Sequence, residues 1–90
     1  MHTLNLKIIT IDGILFAGEV SEIILPTTEG QISVLPEHIA MISTLKEGTV
    51  TLKIGNQQSA QEKNFRISSG VLEIRPDSEA FILVDHASEV

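Results

Sequence analysis

The chain has 90 residues, a formal net charge of −6, 42 % apolar and 20 % charged residues, and no cysteine. These values fit one small domain with a modest core and exclude a disordered chain, a disulfide scaffold and a thiolate metal site. An acidic chain whose only aromatics are Phe16, Phe65 and Phe81 offers nucleic acid neither a basic patch nor a stacking platform.

The elements are read in chain order from a period of two. Thr3-Leu4-Asn5-Leu6-Lys7-Ile8 alternates polar and apolar, as a strand with one buried face does, and predicts a strand over 3–11. Asp12-Gly13 then reads as a hairpin turn, with strands over 14–17 and 19–26 split at Gly18. Glu29-Gly30 marks the next turn and 31–35 the next strand. Pro26 and Pro36 cannot donate to a ladder, which places them at strand ends or on an edge. The stretch from Glu37 to Lys46 carries β-branched Ile39, Ile42 and Thr44, so a strand is expected over 40–46 rather than a helix. Thr49-Val50-Thr51-Leu52-Lys53-Ile54 alternates without a break and predicts 49–55. Strands over 58–65, 66–69, 71–75 and 80–85 follow, punctuated by Gly55-Asn56, Ser69-Gly70 and Pro76-Asp77. Many short antiparallel strands joined by turns imply an all-β sandwich or flattened barrel of about ten strands, one domain over 1–90.

Membrane insertion is not expected. The amino terminus lacks the basic start and apolar run of a signal peptide, and runs such as Phe81-Ile82-Leu83-Val84 fall far short of the roughly 20 residues that span a bilayer. The acidity also opposes adhesion to anionic lipid.

No catalytic residue, metal site or cofactor is expected. His2, His38 and His86 are the only imidazoles, and none is spaced as a ligand pair. Ser68-Ser69-Gly70 lacks the Gly-x-Ser-x-Gly elbow, and no phosphate-cradling glycine loop is present. The least favoured reading is a small hydrolase using Glu29, Glu37 and His38, which would have to converge in a cleft. The segment Glu29 to His38 stands out: a glycine turn enters a short strand that stops at Pro36-Glu37-His38. It is either a plain connection or an exposed docking surface.

Five motifs occur in order. They are Phe16-x-Gly18-x-Val20-x-x-Ile23, then Pro26-x-x-x-Gly30-x-x-x-Val34-Leu35-Pro36-x-His38, then Leu45-x-x-Gly48, then Gly70-Val71-x-Glu73-Ile74, then Ala80-x-x-Leu83-Val84-Asp85-x-Ala87. Together they cover essentially the whole chain, which resembles the N-terminal β-sandwich of the epsilon subunit of F-type ATP synthases, called delta in mitochondria. The resemblance implies a non-catalytic subunit of the central stalk that turns with the rotor. It also implies two protein partners, the gamma subunit and the polar loops of the c-ring. Matching the family loop residue by residue places the c-ring contact at Glu29, Gly30, Gln31 and Ile32. The gamma contact is expected on a sandwich face that includes Thr10, with His38, Ile39 and Met41 as neighbours. The implied location is peripheral, through the complex, on the cytoplasmic face of a bacterial plasma membrane. A free-standing adaptor with another partner is the alternative. The chain departs from the family at Gln31, where an acidic residue is common, and at Ser69-Gly70, where many relatives have two glycines. The family's two C-terminal helices would begin after Asp85-His86-Ala87, so inhibition of hydrolysis by an extending arm is not expected of these residues.

Overall fold

The computed structural model describes residues 3–55 and 60–90. Ten strands follow in chain order: β1 Leu4–Thr10, β2 Gly13–Val20, β3 Glu22–Thr27, β4 Gly30–Val34 and β5 Met41–Leu45. Then come β6 Gly48–Ile54, β7 Gln61–Ile67, β8 Gly70–Arg75, β9 Glu79–Val84 and β10 Ala87–Glu89. No helix occurs among the described residues.

The hydrogen-bonded order is β10-β7-β6-β3-β5-β8-β9-β1-β2, with β4 on the other side of β3. The sheet folds over at β3 and β5, which are joined by the single pair Thr27↔Leu45. That corner yields two layers. One holds β5, β8, β9, β1 and β2, and the other holds β4, β3, β6, β7 and β10. Ser21 at the end of β2 donates its N–H to Lys53 O at 2.7 Å and draws the far sides of the layers together. An edge-on contact between Phe16 and Phe65, centroids 5.9 Å apart, closes the same side.

The period-two pattern is realised as the core. Leu4, Leu6 and Ile8 of β1 are fully buried, and Val50 and Leu52 of β6 face them from the opposite layer. Burying a side chain of this kind stabilises the fold by about 1.5–3 kcal/mol. With no disulfide to brace it, this apolar interior supplies the driving force for folding.

Three boundaries differ from the sequence expectation. β2 runs through Gly18, because Gly18 pairs with Leu6 and the ladder continues on both sides of it. The expected strands 58–65 and 66–69 form a single β7, in register with β6 from Ile54↔Gln61 to Gly48↔Ile67. β10 lies where no strand is expected, held by Ala87↔Ile67 and Glu89↔Phe65. The expected start at 58 and the Asn56 half of its turn lie outside the described residues, as does His2. All described strand pairs are antiparallel except β1 with β9, which run parallel from Asn5↔Glu79 to Ile9↔Leu83.

Candidate functional site

Two surfaces stand out once the strands are in register. The first is the outer face of the layer β5-β8-β9-β1-β2. Residues paired across it form rows, and one row reads Thr44, Val71, Leu83, Ile9, Ile14. The neighbouring row reads Ile42, Glu73, Phe81, Lys7, Ala17. Ile42 is 75 % exposed, Ile14 59 % and Leu83 40 %. A contiguous apolar stretch on the outside of a small domain marks an interaction surface. Its charged margin is ordered: the Arg75 guanidinium lies 4.5 Å above the Phe81 ring and bonds Glu73 at 3.1 Å. The hydrogen bond and charge of Glu73 raise the Arg75 pKa.

The other layer's outer face is its opposite in character. There Glu22, Lys53 and Glu62 share one row, and Ser33, Ile24, Thr51 and Asn64 another. Lys53 and Glu22 are 3.9 Å apart, a loose surface pair of small energetic value. The sandwich therefore has one mostly polar outer face and one whose apolar row gives way to polar residues, among them Arg75, Glu79, Asn5 and Glu19, toward the β8–β9 turn.

The second surface is the β3–β4 hairpin tip. Thr28 and Glu29 are the connecting residues, and Gly30 carries φ 124°, a conformation that favours glycine. The Thr27 hydroxyl donates to Gly30 O at 2.6 Å and accepts the Glu29 N–H at 3.2 Å. Glu29, Gly30 and Gln31 are exposed, whereas Ile32 packs on the core beside Leu25. The β1–β2 turn is built in the same way: Thr10 Oγ1 donates to Gly13 O at 3.2 Å and accepts the Asp12 N–H at 3.1 Å. Both turns lie at one end of the sandwich, since Thr27 pairs with Leu45, Leu45 with Gly70 and Gly70 with Val84. Ile11 N–H also reaches Asp85 O there, at 3.3 Å.

The structure brings some expected site residues together and parts others. Thr10 sits at the tip end of the apolar face. His38 and Ile39 lie at the other end, beside the β8–β9 turn, where Glu37 N–H donates to Ser78 Oγ at 2.9 Å. His38 Nδ1 is 2.8 Å from Ile39 O, and Ile39 is exposed. The apolar face spans the distance between Thr10 and His38. Met41 pairs with Ile74 and packs on the core beneath that face. Glu29 and the Glu37–His38 pair do not converge, because all of β4 separates them, about 16 Å at 3.3 Å per residue. The acid–base set of a hydrolase is therefore not assembled. No cluster of three or more potential metal ligands occurs among the described residues. No helix among them is long and apolar enough to cross a membrane. Sequence reading missed Val71, Leu83 and Ile42 as surface residues. The signal at Leu83, an unbroken apolar run at 81–84, is equally that of a strand buried on both faces.

The family model for the β-sandwich domain of the ATP synthase delta/epsilon chain matches residues 3–90. The ATP synthase epsilon chain of Moorella thermoacetica is 37 % identical over 87 residues, covering 97 % of this chain and 62 % of that one. That of Alkalihalophilus pseudofirmus is 36 % identical over 77 residues, covering 86 % and 55 %. The chain thus spans somewhat over half the length of these relatives. The same fold occurs in the mitochondrial ATP synthase of Euglena gracilis, with a TM-score of 0.88 at 19 % identity over 99 % of this chain and 54 % of that one. With the family model matched over residues 3–90, the chain belongs to the ATP synthase delta/epsilon family, of which it forms the β-sandwich domain.

Proposed function

We propose that this chain is a non-catalytic rotor subunit of an F-type ATP synthase, which joins the gamma subunit to the c-ring and helps couple ion flow to ATP synthesis. The observation that carries the proposal is the asymmetry of the sandwich, on a member of this family: one outer face bears an exposed apolar row with Val71, Leu83 and Ile14, and the other is mostly polar. The apolar face suits a large, permanent protein contact, and we assign it to gamma, with Thr10 at one end and His38 and Ile39 at the other. The exposed tip, Glu29-Gly30-Gln31, suits polar loops, and we assign it to the c-ring, with Ile32 anchoring it to the core. The complex would hold the chain at a membrane that it does not itself enter.

Affinity capture of the tagged chain from its source cell tests the proposal. Gamma and c subunits recovered in fixed ratio are the expected result. A single unrelated partner in their place would establish the adaptor reading instead.

A further inference from the structure

We infer that Thr27 is the positioning residue for the hairpin tip, holding Glu29 and Gly30 in the conformation that meets the partner. The inference rests on the proposed contact between that tip and the c-ring. Among the described residues Thr27 is the one polar side chain in the core, 3 % exposed. Burying a hydroxyl costs free energy unless it is hydrogen-bonded. Both of its bonds go to backbone atoms of the tip, Gly30 O and Glu29 N–H. Packing alone does not require threonine, since valine has the same shape and carries no group to desolvate.

The anchorage is equally specific. Thr27 pairs with Leu45 where the two layers join. Thr28 N–H donates to Thr44 O and Lys46 N–H to Pro26 O, each at 3.0 Å, so the backbone on both sides of Thr27 is tied to β5. The side chain thus links a fixed corner of the core to an exposed tip. In the matching β1–β2 turn Thr10 is only half-buried, so water competes for its bonds. Burial at position 27 removes that competition and strengthens the link.

The test measures affinity of the full chain for detergent-solubilised c-ring and, separately, for purified gamma. Wild type, Thr27→Val and Thr27→Ser are compared, and amide exchange at Glu29 is followed in each. Thr27→Val is expected to weaken ring binding about fivefold, the scale of one net hydrogen bond, and to speed exchange at the Glu29 amide. Affinity for gamma should stay at the wild-type value, and Thr27→Ser should restore ring binding. Ring affinity in Thr27→Val equal to wild type overturns the inference alone. Equal losses toward ring and gamma that track a fall in Tm also overturn it, because a purely structural role predicts that pattern. A wild-type chain that does not bind the ring removes the underlying assignment, and the inference with it.

Discussion

At the scale of single residues, Gly70 is the most tightly enclosed of the described glycines. A Cβ built there would lie 2.2 Å from Leu83 O and 2.6 Å from Val84 Cγ1. The first of these is backbone, so relief requires β8 and β9 to part. Gly70→Ala is expected to destabilise the fold by about 3 kcal/mol, the upper range for overpacking, which lowers Tm by about 12–24 °C at this size. Thermal unfolding followed by circular dichroism checks it. Ser69→Gly should change stability by less than about 0.5 kcal/mol, because Ser69 is exposed. A second prediction concerns the tip. Gln31 is exposed on β4, where a lysine folds without strain but carries a charge into the proposed ring contact. Gln31→Lys should weaken ring binding about tenfold, while Lys53→Gln, on the polar outer face, should not change it. Equal affinity of both variants in a ring-binding titration would remove the tip from the interface.

At the scale of elements, alternation along each strand decides which side chains enter the core, and pairing decides what the others form together. Lys7 and Asn5 keep their part of β1 solvated, yet Ile9, past the bulge between Ile8 and Ile9, joins Leu83 and Ile14 in an apolar row. If that face docks gamma, a charge set into it should abolish much of the affinity at little cost to folding. Ile42→Glu should leave Tm nearly unchanged and weaken gamma binding tenfold or more, as expected of a desolvated interface residue. Thr49→Glu, on the outer face of the other layer, should leave gamma binding unaltered. Isothermal titration with purified gamma compares the two, and similar affinities would place gamma elsewhere on the molecule.

At the scale of the whole molecule, the strand that begins the chain lies beside one that comes nearly at its end. The parallel pairing of β1 with β9 joins Asn5 to Glu79 and Ile9 to Leu83, so much of the chain must be ordered before that ladder closes. Closing so long a loop costs entropy before its contacts repay it. Refolding is expected in the millisecond-to-second range typical of non-local β folds. Stopped-flow circular dichroism suits the measurement, because the chain has no Trp or Tyr to report by fluorescence. A microsecond refolding rate would show that local hairpins, not the closing ladder, limit the reaction.

The sequence by itself determined the fold class and the inward set of residues. Runs such as Leu4-x-Leu6-x-Ile8 and Val50-x-Leu52 leave one face to bury, and a strand fixes which face that is. It also marked the Glu29-Gly30 turn, because glycine supplies the positive φ that the turn requires. Gly18 misled as a break, since nothing local tells a glycine within a paired strand from one in a turn. β10 was illegible because three residues, Ala87 to Glu89, carry too little pattern and owe their strand to the ready edge of β7. Only the tertiary structure decided that Val71, Leu83, Ile9 and Ile14 share one exposed row. They come from four strands scattered through the sequence, and a surface of that kind exists only once non-local pairing has set the register.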